Sequence, residues 1–81
     1  MNGFFYVYIL VNHDGSHYYT GFTENLDDRL QHHNSGVVPA ICPFRPWRLK
    51  TVITFTDRDS ALAFERYLKT QSGRAFAKKR L

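Results

Sequence analysis

The pattern of hydrophobic positions predicts three β-strands in this chain. Residues 4–11 form an unbroken apolar run rich in aromatic and β-branched side chains, which is typical of a strand covered on both faces. The turn residues 12–16 include an Asp-Gly pair, a strong hairpin signal, so residues 17–22 are expected to return as an antiparallel strand. A third strand is predicted over 47–55.

Capping residues predict three helices. Asn25, followed by Asp28 three residues later, starts the first helix, and the Asn-Ser-Gly sequence at 34–36 ends it. Residues 56–59 start a second helix that is expected to run to about residue 70, and Gly73 is expected to separate it from a short basic helix. The predicted order β-β-α-β-α-α gives an α/β (α+β) fold, a small three-stranded antiparallel sheet flanked by helices, with residues 1–81 as one domain.

The distribution of charge along the chain indicates what kind of partner the protein binds. The net charge is +4, yet residues 1–28 hold four acids and no Lys or Arg, whereas residues 29–81 hold all eleven bases and three acids. A one-sided basic tail beside an aromatic-rich body predicts nucleic acid as the partner. The alternative at this point is a solvated basic helix that only keeps the protein in solution.

Cysteine content and hydropathy exclude several classes of protein. The one cysteine, Cys42, excludes an intrachain disulfide framework and a cysteine-only zinc site. No apolar run approaches the roughly 18 residues needed to cross a bilayer. The chain also begins without a recognisable signal peptide. The expected location is therefore cytoplasmic, with no membrane partner.

Two of the predicted helices place charged side chains beside their apolar faces. On the first, Arg29 and His33 are one turn apart, and Arg29 needs an anionic partner, either a nucleic-acid phosphate or a structural carboxylate. Taken alone, the structural carboxylate is the more common case. On the second, Glu65 is either a ligand to Mg²⁺ or one half of a surface ion pair with Lys69.

Tyrosines crowd the predicted hairpin, and two interpretations stay open for them. Tyr18 and Tyr19 must point to opposite faces of their strand, while Tyr8 shares a face with Tyr6. Ordinary core packing is the usual reason for tyrosine in strands. The functional interpretation is that a phenolic oxygen faces a site where nearby cations bring its ionisation into use.

The order and spacing of these residues resemble the GIY-YIG nuclease superfamily. The match is closest to its small single-domain bacterial members, which are similar to the N-terminal domain of the incision subunit in excision repair. It spans nearly the whole chain, and six ordered elements form it. They are Val7-Tyr8-Ile9, Tyr19-Thr20-Gly21, Arg29, the His33-Asn34-Ser35-Gly36 helix ending, Arg45-Pro46-Trp47, and Glu65 with the basic tail 67–80.

The resemblance implies a metal-dependent endonuclease that hydrolyses DNA phosphodiester bonds with Mg²⁺ or Mn²⁺, in DNA repair or processing and with low sequence specificity. It implies that Tyr8 or Tyr19 activates or orients the attacking water. A tyrosine near the metal and Arg29 would lose its proton and then take a proton from the water. It further implies that Arg29 contacts the scissile phosphate, with His33 in support, and that Glu65 binds the metal. The predicted DNA-binding residues are Arg45, Arg48, Lys69, Arg74, Lys78, Lys79 and Arg80.

Departures from the family pattern keep alternatives open. Val7 replaces the first Gly of the motif, Thr20 replaces its Ile, and residues 37–44 lack the polar side chains that relatives often have there. One alternative is a catalytically weak or inactive nucleic-acid-binding module, and another is a structural or protein-interaction domain with a protein partner or a homo-oligomeric state. Exposed rings at Phe44 and Trp47 would suit single-stranded or branched DNA.

Overall fold

A three-stranded antiparallel sheet in the order β2-β1-β3 forms the centre of the molecule. The computed structural model describes residues 3–35 and 44–81. Strand β1, Phe5–Asn12, is the central strand, with β2, Tyr18–Thr23, and β3, Trp47–Phe55, at the edges. Six of the eight residues of β1 are buried, which confirms the prediction of a strand covered on both faces.

Three helices complete the order β-β-α-β-α-α, as predicted. They are α1, Leu26–Asn34, α2, Arg58–Leu68, and α3, Gln71–Arg80. The Asn25 side chain caps α1 by accepting from the Asp28 N–H, and Asp57 caps α2 in the same way. Because both caps join residues that are close in sequence, the starts of both helices could be predicted from the sequence alone.

The expected role of Gly73 was wrong. The boundary between α2 and α3 lies before Gly73, because Thr70 caps α3 by accepting from the Gly73 N–H at 3.0 Å. Gly73 lies in the first turn of α3, where a Cβ atom would overlap the main-chain carbonyl of Tyr67. The missing side chain therefore lets α3 pack against the end of α2.

Alternation along β1 divides the core between the two faces of the sheet. Val7 and Ile9 face α2 and pack against Leu68, with α3 side chains around them. Tyr8 and Leu10 face the opposite way, toward α1, and pack with Trp47. The sheet thus separates α1 from α2 and α3.

The expected exposure of Trp47 was wrong as well. Its side chain is only 4 % exposed because it belongs to the core on the α1 face. Phe44 is half-buried and stacks on His17, with ring centroids 3.9 Å apart. Trp47 is therefore not available to a nucleic-acid base, whereas contact of Phe44 with a base stays a prediction.

Asn34, at the end of α1, ties that helix to the start of β3. Its Oδ1 accepts from the Trp47 N–H at 2.6 Å, and its Nδ2 donates to the Trp47 carbonyl at 3.0 Å. The side-chain amide thus pairs with the main chain of β3 as a neighbouring strand would. This link fixes the helix that holds Arg29 and His33.

Some sequence expectations lie outside the described residues. They concern Gly36 at the helix ending, the apolar segment 37–43 and Cys42. Within 3–35 and 44–81, no helix has both the length and the apolar character needed to span a bilayer.

Candidate active site

The side chain of Tyr8 reaches its position because residue 21 is glycine. Tyr8 on β1 and Gly21 on β2 are directly opposite one another in the strand register. A Cβ atom at Gly21 would overlap the Tyr8 hydroxyl and the ring carbon that bears it. The Tyr8 ring therefore lies across the edge strand, and only a residue without a side chain allows this close approach.

Tyr8, Tyr19 and His33 form one cluster on the α1 face, called here the tyrosine–histidine cluster. The Tyr8 Oη lies 3.0 Å from the His33 Nε2, and both side chains are buried. The Tyr19 ring centroid is 4.6 Å from that of His33 and 6.4 Å from that of Tyr8. The structure thus brings together three residues that the sequence predicted as catalytic.

Arg29 lies one turn before His33 and acts on the same hydroxyl. Its guanidinium affects the Tyr8 phenol through its charge and as a hydrogen-bond donor, and both effects lower the Tyr8 pKa. The Arg29 side chain is exposed. Among the described residues the one ion pair joins Lys69 to Glu65, so no carboxylate there pairs with Arg29. The alternative of a structural carboxylate partner is not supported, and the guanidinium can meet an anion from solution.

The pKa values of Tyr8 and His33 shift so that both groups are neutral near pH 7. Burial is the largest cause, followed by the neighbouring Tyr19, and together they raise the pKa of Tyr8 to about 12. Burial, with the positive charge of Arg29 next in size, lowers the pKa of His33. Loss of a proton from a tyrosine near the metal and Arg29 stays a prediction.

One hydrogen bond joins the Tyr8 Oη and the His33 Nε2, and the tautomer of the imidazole decides which group donates. Arginine can only donate, so Arg29 acts on the phenolic oxygen of Tyr8 as an acceptor and lowers the Tyr8 pKa. In the tautomer with its proton on Nδ1, the His33 Nε2 accepts the phenolic proton of Tyr8. The His33 Nδ1 is buried and has no hydrogen-bond partner among the described residues.

Glu65 is the one predicted catalytic residue that comes from the other side of the sheet. Its side chain is 16 % exposed, and its Oε2 is 2.9 Å from the Nζ of Lys69, which confirms the ion pair that the sequence allowed. The charge of Glu65 also raises the pKa of Tyr8. The carboxylate is therefore within electrostatic reach of the tyrosine–histidine cluster.

The donor set around Glu65 fits Mg²⁺ or Mn²⁺ only as a sparse site. In the part of the chain that the structure describes, no group of three or more His, Cys, Asp or Glu side chains could hold a metal ion. A single carboxylate is nevertheless compatible with Mg²⁺, which keeps several of its waters and binds through one or two carboxylates and substrate phosphates. Glu65 is thus the residue that would hold the ion.

A groove of about 650 Å³ runs beside Tyr19 on the α2 and α3 side of the sheet, and it is called here the basic groove. Three predicted DNA-binding residues line it, namely Lys69, Arg74 and Lys78. Lys50 and Tyr18 also line it, although nothing in the sequence distinguished them as site residues. Their signal was weak, because a single Lys or Tyr in a strand is ordinary until the fold shows its neighbours. The full lining is Ile9, Tyr18, Tyr19, Thr20, Lys50, Leu68, Lys69, Arg74, Ala77 and Lys78.

The other predicted DNA-binding residues lie elsewhere. Lys79 and Arg80 are exposed on α3 but do not line the basic groove. Arg48 donates from Nη1 to the main-chain carbonyl of Asn12 at 3.4 Å, and Arg45 is exposed just before β3. Their contact with DNA stays a prediction.

Comparison with known proteins gives a family for nearly the whole chain. A family model of the GIY-YIG catalytic domain matches residues 4–80. A UPF0213 protein of Lactiplantibacillus plantarum is 41 % identical over 71 residues, covering 84 % of this chain and 69 % of the relative. A UPF0213 protein of Halalkalibacterium halodurans is 39 % identical over 70 residues, covering 85 % of this chain and 73 % of the relative.

A solved structure extends the agreement to the fold. The solution NMR structure of a UPF0213 protein from Bacillus halodurans matches with a TM-score of 0.56 at 32 % sequence identity. The match covers 94 % of this chain and 83 % of the solved chain. Since the family match spans nearly every residue and includes the tyrosine–histidine cluster, the chain belongs to the GIY-YIG family of nucleases.

Proposed function

We propose that this protein is a divalent-metal-dependent endonuclease that hydrolyses phosphodiester bonds in DNA. The observation that supports it most is the 3.0 Å hydrogen bond between Tyr8 and a neutral His33, next to the exposed guanidinium of Arg29. Membership of the GIY-YIG family agrees with this chemistry. A cytoplasmic role in DNA repair or processing, with low sequence specificity, is part of the same proposal.

Tyr8 and His33 would activate the attacking water by moving two protons. The water gives a proton to the Tyr8 Oη while the phenolic proton passes to the His33 Nε2, which is neutral and can accept it. The water oxygen then forms a bond to phosphorus, the bond from phosphorus to the leaving oxygen breaks, and that oxygen is protonated by solvent. The phenol never has to bear a full negative charge, so its pKa of about 12 is no obstacle.

Arg29 and Glu65 would stabilise charge on the phosphate. The planar guanidinium of Arg29 can donate two parallel hydrogen bonds to the phosphate oxygens as negative charge grows on them. Glu65 would hold Mg²⁺ or Mn²⁺, whose chemistry is to neutralise the phosphate and the departing oxygen. Tyr19 packs against His33 and thereby keeps the imidazole beside Tyr8.

The alternative function is a catalytically weak or inactive nucleic-acid-binding module with the same fold. The 2.9 Å ion pair between Lys69 and Glu65 favours it, because a carboxylate held by an ammonium group is a poorer metal ligand. This alternative predicts DNA binding without cleavage.

Cleavage of labelled single-stranded, duplex and branched DNA separates the two functions. With Mg²⁺ or Mn²⁺ we expect products that EDTA abolishes, and a rate lower by about 100-fold or more in Arg29→Ala, Glu65→Gln and Tyr8→Phe, since each loses a group that acts on the transition state. Circular dichroism would show that the variants are folded.

Matched variants on α2 provide the controls for charge. Asp59→Asn removes an exposed carboxylate and Arg66→Ala an exposed guanidinium from the same helix, and both should cleave at the wild-type rate. Cleavage that survives Glu65→Gln or EDTA would contradict the metal-dependent mechanism. Binding without any cleavage would establish the alternative.

A further inference from the structure

We propose that the basic groove binds one unpaired nucleotide of the DNA strand that is cut. Its base would stack on Tyr18, and its flanking phosphates would lie on Arg74 and Lys78. The identity of the ligand as DNA rests on the proposed nuclease function. Of the tyrosine–histidine cluster, Tyr19 lines the groove, whereas Tyr8 and His33 do not.

Two residues that line the groove also contact residues of the candidate active site. Tyr19 lines the groove and also packs against His33, with ring centroids 4.6 Å apart. Lys69 lines it too, and pairs with Glu65. Tyr19 lies on the edge strand β2, so a strand whose phosphate lies at Arg29 and Tyr8 on the α1 face would pass around that edge to enter the groove on the opposite face.

Tyr18 offers a surface for stacking. It is 60 % exposed, the largest value among the big hydrophobic side chains of the described residues. Alternation along β2 turns it away from the tyrosine–histidine cluster, so that its ring borders the groove together with Thr20. Aromatic rings at the border of a cationic groove are the usual platform for the bases of single strands.

The charges in the groove match a phosphate backbone. The four cations that line it are Lys50, Lys69, Arg74 and Lys78, and no acid is among the described lining residues. Lys69 is held by Glu65, and the Lys50 Nζ donates to the main-chain carbonyl of Leu81. Arg74 and Lys78 have no ion pair or side-chain hydrogen bond within the described parts of the chain, so these two cations are available for phosphates.

The shape and floor of the groove favour an unpaired nucleotide over duplex DNA. The apolar floor consists of buried side chains of Ile9 and Leu68 with Ala77. Its volume of about 650 Å³ is that of a small-molecule pocket. A base can enter and stack on Tyr18 only when its face and edge are not already engaged in a duplex.

Fluorescence anisotropy in EDTA tests this site without any cleavage. The probes are a 5′-fluorescein-labelled dT12 strand and a blunt-ended fluorescein-labelled hairpin duplex. We expect Tyr18→Ala to weaken dT12 binding by about 5- to 100-fold, the range for loss of one stacked base, and duplex binding by less than about 2-fold. Tyr18→Phe, which keeps the ring, should bind dT12 as the wild type does.

Tyr67→Ala is the matched control, because it removes a partly exposed tyrosine that packs on Phe64 and Phe76 and is not among the residues that line the groove. It should leave dT12 binding unchanged. Equal dT12 affinity in Tyr18→Ala and wild type, or equal losses on dT12 and duplex, would overturn the proposed site. Since no metal is present, a selective loss on dT12 supports the groove even if the protein never cleaves DNA. If the wild type cleaves DNA and Tyr18→Ala has no effect on dT12 binding, the proposed groove site is refuted and the nuclease function is not.

Discussion

Burial of the Tyr8 hydroxyl stabilises its neutral form, whereas catalysis by a tyrosinate would require its ionised form. A phenol whose pKa is about 12 would be ionised in only about one molecule in 10⁵ at pH 7. A mechanism based on free tyrosinate would therefore be slow. The hydrogen bond to the neutral His33 removes this difficulty, because the proton can leave Tyr8 as another one arrives.

The raised pKa of Tyr8 predicts a loss of stability at alkaline pH. In the unfolded chain the phenol ionises near pH 10, but in the folded protein it ionises only near pH 12. Between these values the unfolded state loses its proton first, so the free energy of unfolding should fall as pH rises, by about 2–3 kcal/mol in total. Urea unfolding of the wild type and Tyr8→Phe at pH 8 to 12 measures this, and the variant should lack that part of the fall.

Tyr67→Phe is the control, since it removes a hydroxyl from an exposed position and should keep the alkaline fall of the wild type. The chemical shift of the Tyr8 Cζ, followed by NMR, would give the titration directly. A midpoint at or below pH 10 would contradict the burial of a neutral phenol.

Helix α1 owes its position to contacts at both of its ends. It has nine residues, which is too short for stability in isolation, yet it holds both Arg29 and His33. Asn25 caps its start, and Asn34 binds the main chain of Trp47 at its end. The geometry of the active site therefore depends on a side chain that touches none of the catalytic groups.

Asn34→Ala is expected to lower the free energy of unfolding by about 1–3 kcal/mol, because two hydrogen bonds to half-buried main-chain groups are lost together. Urea unfolding gives the value. Amide hydrogen exchange at Trp47 should become faster as the link opens. Asn34→Asp, which keeps the acceptor for the Trp47 N–H, should lose less.

Gln31→Ala, at an exposed position of the same helix, is the matched control and should change stability by less than about 0.5 kcal/mol. If Asn34→Ala behaved in the same way, the amide link would not be what positions α1.

The elements that were predicted correctly depend on neighbours in sequence. Asn25 and Asp28 meet within one helical turn, so their capping bond could be predicted without any knowledge of the fold. Trp47 was misjudged because its burial depends on packing against Tyr8 and Leu10, nearly forty residues away in the chain. Contacts of that kind are decided by the sheet register, which periodicity does not supply.

The residues of the candidate site likewise fall into two groups, those that sequence spacing predicts and those that only the fold brings together. The family motif indicated Tyr8, Arg29 and Glu65 by spacing, and the structure brings the first two together with the third in electrostatic reach. Lys50 was missed because its neighbours in the basic groove come from helices far along the chain. The sequence indicates only a helix ending at Asn34, since its partner Trp47 lies thirteen residues further along the chain.

At the scale of the whole molecule, folding places cations from distant parts of the sequence next to one another. The acids dominate residues 1–28 and the bases residues 29–81. Folding brings one cation from β3, one from the end of α2 and two from α3 to the same groove. The chain thus presents a local concentration of positive charge that exceeds what its net charge of +4 suggests.

Salt dependence can distinguish this local charge from net charge. Each phosphate contact to single-stranded DNA contributes about −0.7 to the slope of log K against log salt concentration. Removing Arg74 and Lys78 together should therefore reduce the steepness of the slope for dT12 by about 1.4. The variant lacking Lys79 and Arg80 loses the same charge from the same helix but none from the lining of the groove, so its slope should change much less. Anisotropy titrations between 50 and 300 mM NaCl, on the order of the range where such slopes are measured, give both values. Equal changes in the two variants would mean that DNA responds to the basic helix as a whole, and the path past Tyr19 into the groove would then have no support.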